Sequence, residues 1–330
     1  MAGIVTKKYN TISMSIVDAH AHLWMSQDTV VDNQPIRSLS PNGSRSLFFG
    51  QEVQMLPPFM IDGHNTAEVF LSNMDYAQVG GAVIVQEVID GLQNNYLAEV
   101  QKKYPNRFFC YGMPELREDE CRRLGLGKPL EQTKQLLDKG FRGIALPGHR
   151  LFAPGSSLAL NAPEMMEVYK LLESRHAFLS MCLYDGEYHV GAMKEVIAEC
   201  PNLKIAIGHF GMVTVPGWME QIKLARAKNV YVESGGITWL FNSEFYPYPS
   251  ALRAIREAAD EVGIEKLMWG SDYPRTITAI TYKMSYDFVV KDPDHLFTEV
   301  EKRAFLGENA VRLYGFDQLP ELPYIKNMSE

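Results

Sequence analysis

Two histidines stand two residues apart in IVDAHAHLW, residues 16–24. The stretch opens with two β-branched residues and reads as a strand, and residues two apart on a strand point to the same face. His20 and His22 therefore aim their imidazoles together, where the apolar run gives out. Further along, GHFG at 208–211 places His209 at the end of a second apolar run, and WGSDYP at 269–274 places Asp272 at the end of a third. Imidazole and carboxylate are the ligand set of zinc and similar divalent ions. A carboxylate among imidazoles can also carry a proton for a reacting group. A lone histidine would read as a hydrogen-bonded structural residue, and an aspartate ahead of a proline as a helix cap. Four such groups, all at the ends of strand-like runs, read as an active site.

Those side chains meet only if the elements carrying them converge. After Ile16 the chain alternates short apolar runs with amphipathic stretches. The runs at 16–24, 81–88, 107–115, 141–148, 177–184, 203–211, 229–236 and 266–274 mostly lack polar alternation, as parallel strands covered on both faces do. Helical spacing marks 66–79, 93–104, 129–139, 163–174, 190–199, 218–227, 249–262 and, after the last strand, 298–314. Pro163 and Pro249 suit a first helical turn, and Gly140 and Gly263 a helix end. About eight strand–helix cycles in series predict an α/β fold of the (β/α)8, or TIM-barrel, type, whose strand C-termini face one pocket. A doubly wound open sheet usually has fewer strands and often a glycine-rich phosphate turn after the first, and no GxGxxG occurs here. The reading is one barrel domain over 1–330, with 1–15 as an N-terminal extension. Residues 25–64 break the cycle: they show little periodicity and are rich in Ser, Asn, Gln, Pro and Gly. They leave the first strand at its functional end, where a lid or substrate-covering insertion would begin.

Composition narrows the function classes. The 330 residues are 46% hydrophobic and 22% charged, enough for a large core without disulfides or a structural metal. The net charge is −8 and no Lys/Arg-rich run occurs, which argues against a nucleic-acid partner. Cys110, Cys121, Cys182 and Cys200 are scattered and read as reduced thiols of a cytoplasmic protein. Neither a signal-peptide core nor a run of about 18 apolar residues is present, so no membrane partner is expected. The expected partner is a small-molecule substrate, with a homo-oligomer left open.

With DAHAHLW, GHFG, WGSDYP and the closing GENAVRLYGF in view, the chain resembles the amidohydrolase superfamily, in its amidohydrolase 2 branch, from Asp18 to Phe316. VIVQEVIDGLQNNYL, PNRFFCYG and PNLKIAIGHFG look most like its lactonase group, which holds sugar-acid and pyrone-dicarboxylate lactonases. The resemblance implies a barrel hydrolase that opens a small lactone. The alternative it implies is a metal-dependent, non-oxidative decarboxylase or a hydratase acting on a small unsaturated or aromatic acid. Many superfamily members bridge two metals with a carbamylated lysine on the fourth strand; FRGIALPG has none, which points away from a binuclear centre. Decarboxylases of the branch keep a ligand histidine at the end of the fifth strand. Here AFLSMCLYDGEYH puts Cys182 or Tyr184 at that place, and His189 comes several residues too late. The implied ligand set is His20, His22 and Asp272 around at most one divalent ion, zinc by ligand type.

On this reading Asp272 is the general base that activates water and returns the proton to the leaving oxygen. His20, His22 and His209 polarise the carbonyl, and in a decarboxylase version His209 is the proton donor. His149 and Arg150 follow the fourth strand and Arg275 the eighth, where guanidinium groups suit carboxylated substrates. Gln86 at the end of the second strand and Tyr184 after the fifth complete the expected substrate contacts.

Overall fold

The computed structural model describes residues 14–323 and 325. Apart from Met14 and Ser15, the expected N-terminal extension lies outside the described residues. In chain order the strands are β1 (Val17–Ala21), β2 (Asp28–Val31), β3 (Gln34–Ser38), β4 (Arg45–Phe48), β5 (Gln51–Gln54), β6 (Gly81–Ile84), β7 (Phe108–Cys110), β8 (Gly143–Leu146), β9 (Phe178–Met181), β10 (Lys204–Ile207), β11 (Val230–Glu233) and β12 (Leu267–Met268).

β1, β6 and β7 pair in parallel, and β8 through β12 pair in parallel in sequence order. Backbone bonds at two seams close the ring. At one, Gly112 N donates to Gly143 O at 3.0 Å and Ala145 N to Gly112 O at 2.8 Å. At the other, Ala19 N donates to Trp269 O at 2.8 Å and Asp272 N to His20 O at 2.9 Å. Eight parallel strands in sequential order, with helices between them, make the expected (β/α)8 barrel. The ladders are shorter than the apolar runs. Beyond each ladder the run continues into the mouth; after β12, Trp269 O, Ser271 N and Asp272 N bond to β1, while Trp269 N bonds to the Phe305 carbonyl and Gly270 N to the Ser234 hydroxyl.

Both faces of the ring are apolar, as buried parallel strands require. Val17, Ala19, Val83, Phe109, Tyr111, Phe178 and Met268 fill the interior, with Tyr314 packed among them. The outer faces pack on helices such as Pro163–Ser174 and Pro249–Val262, each with its proline in the first turn. The stretch expected as one helix over 298–314 instead runs from Glu299–Arg303 through a π-helical turn, Ala304–Glu308, into Asn309–Tyr314. The widened turn sets Gly307 against the Ser15 carbonyl, where a Cβ would collide.

Within 25–64 the strands β2 to β5 form a four-stranded antiparallel sheet. Its signals are turns rather than apolar runs. Asp32 and Asn33 have φ of 51° and 58°, and Phe49 and Gly50 have φ of 49° and 80°. Two consecutive positive φ values make the tight hairpin turn whose twist matches paired strands. The sheet is tied to the barrel: Gln27 Nε2 donates to Asp90 Oδ1 at 3.0 Å, and the Arg117 guanidinium donates to Val30 O.

Candidate active site

The C-terminal mouth of the barrel holds a cavity of about 490 Å³, in the range of small-ligand sites. Asp272, His20, His22 and His209 all line it. His20 Nε2 lies 3.1 Å from His22 Nε2 and 3.6 Å from Asp272 Oδ1, and His22 Nε2 lies 3.0 Å from the same oxygen. One ligand atom from each residue fits within 4.8 Å of the others. On the far side of each ring stands a carboxylate. His20 Nδ1 is 2.7 Å from Glu233 Oε1, and His22 Nδ1 is 3.5 Å from Asp90 Oδ2. The Glu233 hydrogen bond fixes the tautomer of His20 and turns its Nε2 lone pair forward, the arrangement usual for metal-binding histidines, while Asp90 stands behind His22 without a hydrogen bond to Nδ1. Two such lone pairs and a carboxylate oxygen facing one point demand a cation between them. The donor set therefore fits a divalent metal ion.

The electrostatics carry the same mark. Burial opposes charge on His20, but Glu233 and Asp272 raise its pKa to about 9. In the absence of a metal, a proton on His20 fills the demand for a cation. Burial alone would lift Asp272; its bond to His22 and the neighbouring imidazoles hold it well below the usual carboxylate range. Its second oxygen, Oδ2, accepts the Trp239 indole N–H at 2.8 Å. Burial and His20 lower the pKa of His209. The His209 Nδ1–H donates to Gly235 O at 2.9 Å, so the neutral ring keeps a lone pair on Nε2. That atom suits accepting a proton; polarising a carbonyl, the role expected of it, needs an N–H.

The backbone is bent to make this possible. His209 and Asp272 have φ of 56° and 60°, a left-handed conformation that costs energy away from glycine. It turns both side chains in at the points where β10 and β12 leave the ring. Gly270 is needed for close approach: a Cβ there would lie 2.7 Å from His20 Cβ. Beneath, the buried Asp18 carboxylate joins β1 to the segment after β12. It accepts from Ser271 N at 2.8 Å, Tyr282 OH at 2.7 Å, His20 N at 3.1 Å and the Ser271 hydroxyl at 2.5 Å. Burial still lifts it to about 6.

The expected substrate contacts divide. His149 and Arg150 reach the cavity, but both are engaged: Glu87 meets His149 Nε2 at 3.1 Å and Arg150 Nε at 3.0 Å. Burial works against the Glu87 charge, and these two partners hold its pKa down to about 2. Arg275 lines the cavity, and among the described residues its guanidinium has no ion-pair or hydrogen-bond partner. Gln86 also lines it, but its amide is spent on Asn94, the Tyr111 carbonyl and Gln93 N. Tyr184 is not among the lining residues; its ring packs on Tyr188 and His189. His189 accepts from Tyr184 N and donates to Phe152 O, so it is spent internally. Cys182 stands at the end of β9, its thiol pushed well up by burial. Sequence reasoning passed over Asp18 and Asp90 and gave Glu233 no definite role. None of the three has a spacing signature of its own.

A family model described as amidohydrolase matches residues 17–316. No curated protein sequence matches the chain. Among solved structures, a probable 2-pyrone-4,6-dicarboxylic acid hydrolase from Acinetobacter baumannii, with citric acid bound, superposes with a TM-score of 0.65 at 20% identity, covering 92% of this chain and 100% of that one. An amidohydrolase from Burkholderia multivorans with bound zinc gives 0.61 at 14% identity, covering 93% and 100%. The 5-carboxyvanillate decarboxylase from Sphingomonas paucimobilis gives 0.60 at 14% identity, covering 92% and 99%. At these identities the likeness shows a shared fold. Among the described residues, no helix is long and apolar enough to cross a membrane.

Proposed function

The chain belongs to the amidohydrolase family, and from that premise we propose that it opens a small carboxylated or sugar-acid lactone by water attack, with His20, His22 and Asp272 holding a single divalent ion, zinc by ligand type. The observation that carries this reading is the convergence of the two Nε2 atoms and Asp272 Oδ1 at 3.0–3.6 Å on the floor of the cavity. A metal bound there would supply Lewis acidity, lowering the pKa of water and polarising the carbonyl.

The chain's own residues do the rest. Asp272 takes the proton of the attacking water as the water oxygen bonds to the carbonyl carbon. A carboxylate held this far down gives an accepted proton back readily. When the ring C–O bond breaks, that proton goes to the departing alkoxide, and the product is a hydroxy acid. Such proton transfer is worth about 10²–10⁴-fold. The His209 Nε2 lone pair accepts a hydrogen bond from a substrate hydroxyl or the water. Arg275, whose guanidinium has no ion-pair or hydrogen-bond partner among the described residues, receives the substrate carboxylate, with Arg150 and His149 held by Glu87 on the opposite side. The insertion contributes Gln54 and Met55 to the lining and serves as a fixed lid. The citric acid in the Acinetobacter structure, a compact polycarboxylate, is in keeping with this substrate class.

The decarboxylase alternative wants another ligand histidine at the end of β9, where Cys182 stands, and the cluster that fits a metal has three members. The test is a panel. The metal-loaded protein is screened against sugar lactones and carboxylated lactones by acid release to a pH indicator, and against aromatic carboxylates by loss of absorbance. Acid release from one lactone class, lost in Asp272→Asn, is the expected result. Turnover confined to the aromatic carboxylates would overturn the lactonase reading.

A further inference from the structure

The opposite mouth of the barrel carries a second cleft of about 430 Å³. Arg142, Arg175, His176, Lys204 and Arg312 line it, and no carboxylate does. In a chain with 40 acidic and 32 basic residues, that segregation is unusual. The five come from four separate parts of the chain: Arg142 just before β8, Arg175 and His176 before β9, Lys204 at the first residue of β10, and Arg312 on the helix Asn309–Tyr314.

Two of these cations rest on aromatic rings rather than on acids. The Arg142 guanidinium lies 5.0 Å from the Phe109 ring centroid and 5.9 Å from that of Phe178, and Lys204 Nζ lies 4.9 Å from the Phe178 centroid. Among the described residues neither Arg142 nor Lys204 has a carboxylate or hydrogen-bond partner. Arg175 meets Asp138 at 3.3 Å, with both side chains about half exposed, and Arg312 bonds Asn309 and the Glu265 carbonyl. His176 takes φ of 53° at this rim, a left-handed backbone that a non-glycine residue adopts at a cost. Cation–π contact orients a guanidinium or ammonium without neutralising it. The charge stays available, and three guanidinium forks suit an oxyanion with several oxygens.

We propose that this cleft is a binding site for a compact, multiply charged oxyanion of the phosphate-ester or diphosphate class, separate from the catalytic cavity. A stability role alone accounts for one cation on each ring. It does not account for five basic groups gathered around a space of this size with no acid among its lining.

The experiment is calorimetric titration of the full chain with inorganic pyrophosphate at low ionic strength, with citrate and sulfate as comparison arms. The expected result is one site per chain, tighter for pyrophosphate than for sulfate and weakened by added salt. The Arg142→Ala/Lys204→Gln double variant should weaken binding at least tenfold while Arg275→Ala leaves it unchanged. Citrate binding as tightly as pyrophosphate, with the same response to the double variant, would keep the site but overturn the phosphate class. No saturable binding, or binding lost in Arg275→Ala and kept in the double variant, would overturn the site, since the anion would then lie in the catalytic cavity. If the double variant unfolds, Lys204→Gln alone keeps the stem over Phe178 and should still weaken binding several-fold.

Discussion

The two mouths of the barrel manage charge in opposite ways. At the C-terminal mouth His20, Glu233 and Asp272 are buried and interlocked, and the backbone is bent at His209 and Asp272 to aim them. At the N-terminal mouth the cations are exposed, and Arg142 and Lys204 rest on aromatic faces. Taking a charge out of water costs several kcal/mol unless partners replace the water, so the C-terminal mouth is a closed network in which each member fixes the next. The opposite mouth leaves its charges to solvent, and little else depends on any one of them. Removing one member should therefore be costly at the first mouth and cheap at the second.

The largest effect is expected at Asp272. Asp272→Asn keeps the shape but loses the proposed base and metal ligand, and should cut turnover on the panel's best substrate by about 10²–10⁴-fold; wild-type initial rates from that variant would break the contrast. Gly270→Ala comes next. The added Cβ presses on His20, and displacing a positioned group by about 1 Å can cost about 10²-fold, so steady-state kinetics should show kcat falling in a folded protein. Glu233→Gln removes the carboxylate behind His20 and should weaken metal affinity by about 10–100-fold, measured by competition with a chelating dye.

Effects on stability are smaller. Asp18→Asn leaves buried donors without an acceptor and should cost about 1–3 kcal/mol in urea unfolding. Glu87 sharpens the contrast by its pH dependence. A carboxylate whose pKa falls on folding stabilises the protein above its ordinary value of 4.5 and loses that stabilisation as pH drops toward about 2. The stability gap between wild type and Glu87→Gln should accordingly be full near pH 6 and close as pH falls below 4. At the other mouth, Lys204→Gln should change stability by no more than about 1 kcal/mol and leave turnover unchanged; a loss comparable with Asp18→Asn would erase the distinction.

The same contrast explains what could be read from the sequence. The eight apolar runs announced the ring, because buried parallel strands need unbroken hydrophobicity. The paired histidines, GHFG and WGSDYP announced the site, because a strand has period two and its end is marked. The insertion's sheet was hidden, since its strands are polar and its evidence lies in two short turns, Asp32-Asn33 and Phe49-Gly50. Asp90 and the role of Glu233 were hidden because a carboxylate behind a histidine is chosen by three-dimensional proximity alone: Glu233 is 213 residues from His20. Tyr184 shows the converse. Its position after β9 suggested the cavity, but the loop turns its ring onto Tyr188 and His189.

The central claim is that His20, His22 and Asp272 form one cation-demanding centre. Calorimetric titration of the metal-stripped chain with zinc tests it directly. The account predicts one ion per chain, with binding abolished in both His22→Ala and Asp272→Asn. Two ions per chain, or undiminished binding in those variants, would contradict it.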